Sequence, residues 1–235
     1  MKLFRKIRQK LIKEGNLKRY FLYALGEILL VMIGITLAFQ LDNWNDDRIK
    51  RSAELNYYEN ISSQISVDKQ KISDLIALNK WHGDQFKFAI ELVERNDTTQ
   101  MDTLGLIIRN LTQYSDFDRQ GNIYETMVNS GEIKLLKNNE IVDGLRVLEE
   151  KYIYINRMEN IHYDAMMTYV VPAINPVLKM TDASIKEPEM IFNHEFQNLL
   201  VALIGIITEK EKVYKEAIRE IDLITDSIGV ELNYY

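Results

Sequence analysis

One segment limits every fold open to this chain: from Phe21 to Leu41 it reads FLYALGEILLVMIGITLAFQL, 21 residues with a single ionisable side chain, Glu27. As a helix rising ~1.5 Å per residue, the run is about 31 Å long, the thickness of a bilayer's hydrocarbon core. A core helix of a soluble domain is usually shorter and is not normally bordered by cations on one side and by acids with a Trp on the other. Lys2, Arg5, Lys6, Arg8, Lys10, Lys13, Lys18 and Arg19 precede the run, and Asp42, Trp44, Asp46 and Asp47 follow it. The bias of Lys and Arg toward the cytoplasmic side predicts a cytoplasmic N-terminus and a C-terminal domain beyond the membrane.

Charge follows the same division. Residues 1–19 hold eight basic side chains against the one acid Glu14, leaving 21 basic against 34 acidic residues in the remainder. Within the basic segment Leu3, Phe4, Ile7, Leu11 and Ile12 recur at helical spacing, the pattern of a helix lying on an anionic inner leaflet, with the eight cations above as its lipid contacts. No nucleic-acid reading module follows, so nucleic acid is not an expected partner. A cleaved signal peptide would normally have an apolar core of 7–15 residues ending in a small-x-small site, whereas this run is longer and no Ala-x-Ala follows it, so an uncleaved signal anchor is expected. Tyr20 and Tyr23 on one side and Trp44 on the other are expected to anchor the helix at the two interfaces.

Glu27 is the costly residue of the run, because a carboxylate there must be neutralised, snorkel or face protein. It shares a helical stripe with Gly34 and Ala38, small residues that permit close approach of a second helix, so Glu27, Gly34 and Ala38 form a candidate packing face. The competing reading has Glu27 reaching Lys18 or Arg19 of its own chain.

Beyond Trp44 a heptad-like stripe runs through Tyr58, Ile61, Ile65, Ile72, Leu75, Phe86, Ala89 and Val93, interrupted by the polar Asp68, Asn79 and His82. It predicts a long amphipathic helix ending near Asn96–Thr99. Shorter helices are expected over 102–113 and 123–129, the latter closed by Ser130-Gly131. A third long helix should begin at Asn138 or Asn139 and carry Ile141, Leu145, Leu148, Tyr152, Ile155, Met158, Ile161 and Ala165 inward, bending or ending at Pro172 and Pro176. A last one, capped by Asn193, should run to about Ile228, with Gly229 as its stop. The expected fold is all-α: one N-terminal transmembrane helix followed by an antiparallel helical-bundle ectodomain, divided as 1–20 cytoplasmic, 21–41 spanning and 42–235 periplasmic.

Catalytic signatures are sparse. The chain has no Cys, no Gly-rich phosphate loop and no Gly-x-Ser-x-Gly elbow. Glu159 and His162 stand at i, i+3 as in half of a di-iron carboxylate site, but neither His82 nor His194 has the Glu three residues earlier that the other half needs. His162 is therefore expected at the surface or edge of the core, and no metal, cofactor or catalytic residue is expected. Three glycosylation sequons, at Asn60, Asn96 and Asn110, are short enough to arise by chance.

Phe4-Arg5-Lys6-Ile7-Arg8, Glu14-Gly15, Tyr23-Ala24-Leu25-Gly26-Glu27-Ile28 to Val31, Ile33-Gly34-Ile35 and Asn43-Trp44-Asn45 together resemble an uncharacterised family of single-pass membrane proteins from Bacteroidota-type bacteria. A weaker likeness continues through Tyr124-Glu125-Thr126 and Asn129-Ser130-Gly131 into Lys134–Asn139. The resemblance implies an inner-membrane anchor with an external helical domain, and it supplies no catalytic residues. The expected role is a structural or accessory interaction subunit of a cell-envelope assembly, not an enzyme, with membrane lipid and either further copies of itself or other envelope membrane proteins as partners. The alternative is a periplasmic ligand-sensing domain that signals through a partner, since 19 or so cytoplasmic residues hold no output domain.

Overall fold

The computed structural model describes residues 17–119 and 121–233. It is 85% helical, so the chain is all-α. Two compact units, Met1–Ala53 and Glu54–Tyr235, divide it. The first long helix, α1 (Leu17–Glu94), supplies residues to both.

In the first unit α1 is long and apolar enough to cross a membrane by length and composition, and its most apolar 18-residue window, of mean hydropathy 2.1, has none of its residues buried. Phe21 and Leu30 are each 68% exposed. Lys2, Arg5, Lys6, Arg8, Lys10 and Lys13 lie outside the described residues, as do the side chains of Arg19 and Tyr20.

The second unit is built on three long helices: α1 from Glu54, α4 (Asn139–Ala165) and α7 (His194–Asn233). Their directions follow from side-chain pairs. Tyr58 meets Asn138 and Asp68 meets Tyr152, so α1 and α4 run the same way. Lys69 meets Asp222 while Glu94 meets Gln197, and Asn138 meets Glu231 while Lys151 meets Glu216, so α7 runs against both. The bundle is thus antiparallel only in part. Two parallel helices require a return, which is made by α2 (Met101–Asn110), an extended strap from Gln113 to Arg119, α3 (Ile123–Ser130) and a 3₁₀ turn, Glu132–Leu135.

Local chemistry sets the boundaries. Asn138 Oδ1 accepts from the backbone N–H groups of Glu140 and Ile141 and starts α4, while Asn193 Oδ1 accepts from Phe196 N–H at 2.8 Å and starts α7. Gly131 closes α3 in the left-handed conformation, with φ 77°. After Ala165 the helix widens into a π turn, Met166–Val170, before the short α5 (Val171–Ile174). Pro172 has no N–H to offer the carbonyl four residues back, and the wider turn absorbs that misfit. A minimal hairpin follows, β1 (Leu178–Lys179) against β2 (Ser184–Ile185), and then α6 (Pro188–Ile191).

Gly229 does not stop α7, which continues to Asn233. A helical Gly costs about 1 kcal/mol relative to Ala. Buried Ile228, core-facing Leu232 and the Asn138–Glu231 hydrogen bond on either side of it outweigh that penalty.

Two apolar clusters fill the second unit. One joins Ile61, Ile65 and Ile72 of α1 to Ile141–Ile155 of α4 and Val213–Ile228 of α7. The other joins Phe86, Ala89 and Leu92 of α1 to α2, the π turn and Phe196–Ile207 of α7.

Candidate functional site

Between the two apolar clusters all three long helices place polar side chains inward. Asn79 and His82 come from α1, Glu159 and His162 from α4, and Lys210 from α7; each is 6% exposed or less. The same 3- and 4-residue spacing that carries the apolar stripes brings them there, since Lys210 sits three residues after Ile207 and four before Tyr214. Burial of polar groups at core positions costs free energy unless they bond one another.

Most of them do, and they do so through the strap. Lys210 Nζ donates to the Ser115 carbonyl at 2.8 Å and lies 3.5 Å from His162 Nδ1. Phe117 N–H donates to Glu159 Oε1 at 2.9 Å, and Tyr214 O–H donates to the same oxygen. Ser115 Oγ is 3.3 Å from the Tyr214 hydroxyl. The Tyr114 ring meets His162 edge to face, 6.3 Å between centroids. Glu159 Oε2, His82 Nδ1 and Asn79 Nδ2 make no hydrogen bond within the described protein.

Low polarity around the layer displaces its titrations. Burial lowers His162 to about 4, with Lys210 and then His82 adding repulsion. Burial also lowers Lys210, to about 8, against the pull of Glu159 and Asp116. Glu159 is raised by burial despite the hydrogen bonds from Tyr214 and Phe117 and the nearby Lys210 charge, which favour its ionised form. Near neutrality the layer therefore holds an ammonium and neutral imidazoles. His162 Nδ1 accepts from Lys210, so its own proton sits on Nε2.

His162 is thus 2% exposed, not at the surface or core edge, and Ile161, expected inward, is 44% exposed. Among the described residues no group of three or more His, Asp or Glu is arranged to hold a metal ion.

Of the residues singled out on the apolar run, Glu27 and Tyr23 are half-buried, while Lys18, Gly34, Ala38 and Trp44 are exposed. A Cβ added at Gly34 would meet nothing within 4 Å. The Arg48 guanidinium lies 5.7 Å from the centre of the Trp44 ring. On the second unit an open groove of about 270 Å³ runs between the π turn and α7, lined by Tyr169, Val170, Leu199, Ala202, Leu203 and Ile206 among others.

A model of the family of unknown function DUF6090 matches residues 27–208, and the chain belongs to that family. No curated protein and no solved structure matches it.

Proposed function

We propose that this DUF6090 member is a single-pass protein of the bacterial inner membrane, with its N-terminus in the cytoplasm and residues 42–235 in the periplasm. There its helical domain acts as an interaction subunit of an envelope assembly, with further copies of itself or with other membrane proteins. One observation carries the reading: a helix window of mean hydropathy 2.1 with none of its residues buried. Such a surface is stable only against lipid or another apolar helix. The eight cations before it and the acids after it supply the orientation. The apolar groove beside Tyr169 and Leu199 supports contact with protein rather than a role in catalysis. The buried polar layer favours the alternative, a sensing domain that signals through a partner.

A chain without Cys makes orientation simple to test. Single cysteines placed by Lys10→Cys and Lys87→Cys are exposed to a membrane-impermeant maleimide, first on spheroplasts and then on lysed cells. Residue 87 is expected to react in both and residue 10 only after lysis. Reaction of residue 87 only after lysis would overturn the topology.

Glu27, Gly34 and Ala38 form the packing face in this proposal. Gly34→Leu should block close approach of a second span and reduce assembly in mild detergent, whereas Met32→Leu, on another face, should leave assembly unchanged. Equal assembly of parent and both variants would sink the packing face and leave the anchor intact.

A further inference from the structure

The open groove beside the π turn is one half of a longer trough. A second cavity, of about 190 Å³, lies between α6 and the start of α7, and Glu195 and Leu199 line both cavities, so the two meet there. Along α7 the lining runs from the cap Asn193 to Ile206, about 20 Å at ~1.5 Å per residue. Buried Val170 and Leu203 form its floor, while Tyr169, 65% exposed, and Met190, 44% exposed, stand at its sides.

Both walls lack cations. Residues 158–178 and 187–209 contain no Lys or Arg. Glu195 is exposed at the junction of the two cavities, and the exposed Asp164 and Glu189 are the chain neighbours of the lining residues Ala165 and Met190. None of these three carboxylates is in an ion pair among the described residues. We propose that the trough is the docking site for a basic amphipathic helix of another envelope protein, with its apolar side chains in the two cavities and its Lys or Arg side chains against Glu195 and the neighbouring acids. The inference rests on the reading of this domain as an interaction subunit and adds the kind of partner that this face takes.

Length, backbone and charge select that occupant. A helix laid along the trough presents apolar side chains at i, i+4, i+7 and i+11, a span of about 17 Å that reaches both cavities. An extended peptide would need a free sheet edge, and the walls here are helices whose backbone groups are already paired. A second copy meeting by the same face across a two-fold axis would set carboxylate against carboxylate, and anionic headgroups would be repelled in the same way. A cationic partner is attracted where both of those are opposed.

Photo-crosslinking of the full chain in isolated native membranes tests the docking site. p-Benzoylphenylalanine is placed at Tyr169 or, as a second position, at Val230, which is 55% exposed at the other end of α7. After irradiation the crosslinked peptides are identified by mass spectrometry. Position 169 is expected to capture a segment of another protein that has apolar residues at helical spacing with Lys or Arg among them. Glu195→Lys should lower the yield at 169 about threefold or more, since it replaces an attraction by a repulsion. Glu59→Lys, an equal change of charge on an exposed site of α1, should leave it unaltered. If Glu195→Lys fails to fold, raising salt from ~0.05 M to ~0.5 M should lower the yield of the parent instead. Capture of lipid, of a second copy or of a segment without Lys or Arg would overturn the docking site, as would a yield indifferent to both Glu195→Lys and salt. Capture at 230 with none at 169 would overturn it and leave the interaction subunit standing, whereas capture at neither position would count against both.

Discussion

Gly105→Ala is expected to cost the helical domain about 3 kcal/mol, at the upper end of ordinary overpacking. A Cβ on Gly105 would stand 2.0 Å from the Ala183 carbonyl oxygen, which is backbone and has no rotamer to escape into. Ala183 is itself held at φ 57°, in the left-handed region, at the turn between β1 and β2. The hairpin therefore cannot retreat without giving up a strained but packed conformation. For a domain of this size the loss corresponds to a fall of roughly 6–12 °C in the thermal midpoint. Gly205→Ala, on α7 with nothing within 4 Å of the new carbon, should be neutral or stabilising by up to ~1 kcal/mol. Thermal melts followed by circular dichroism compare the two, and equal midpoints for both variants would refute the close approach.

Lys210→Met is expected to cost about 3 kcal/mol near neutral pH, the scale for leaving a buried carbonyl without its charged donor and a buried carboxylate without a nearby cation. It strips the Ser115 carbonyl of its donor and leaves the Glu159 carboxylate buried without its cation. Adding Glu159→Gln should recover a large part of that loss, because the uncompensated charge is then gone, so the two substitutions should couple by 1 kcal/mol or more. The pH dependence has a definite sign. Glu159 is raised above its ordinary 4.5 when folded, and more so without Lys210, so the stability deficit of the single variant should shrink as pH falls and grow as pH rises through the folded value. Chemical denaturation of the two single variants and the double variant supplies the cycle. Strict additivity would show that Glu159 and Lys210 do not interact.

Much of the fold was legible because local chemistry and hydrophobic period agree. The end of α1 near Asn96, the Asn138 and Asn193 caps and the Gly131 stop all follow from single residues whose backbone preferences nothing in the fold opposes. Gly229 misleads because the tertiary contacts of Ile228, Glu231 and Leu232 on either side of it outweigh one weak propensity. Parallel α1 and α4 could not be read, since amphipathic stripes carry no direction and only the route of the intervening chain sets it. The polar layer is half visible: Asn79 and His82 interrupt one stripe, but Lys210, at the same register on another, is not marked out by the apolar stripe it sits on. Its signal lies in the spacing: Leu203, Ile207, Lys210 and Tyr214 follow one another by four, three and four, which puts a cation at a position that should be apolar. Glu159 and His162 likewise took the inward places that a purely apolar stripe would assign to Ile161. A rule that places polar residues outward fails wherever helices bury them against one another's charges.

Residues that meet in the bundle lie far apart along the chain. Asp68 of α1 meets its partner Tyr152 84 residues later, and Lys69 meets Asp222 153 residues later. At ~5–20 residues per second of translation, α7 leaves the ribosome roughly 8–30 s after the part of α1 it will cover. For that interval the apolar stripe of α1 from Tyr58 onward has no partner from α7, whereas α4 and α7, consecutive long helices running in opposite directions, can close on each other as soon as both exist. Of the three long helices, the one made first waits longest for its full set of partners.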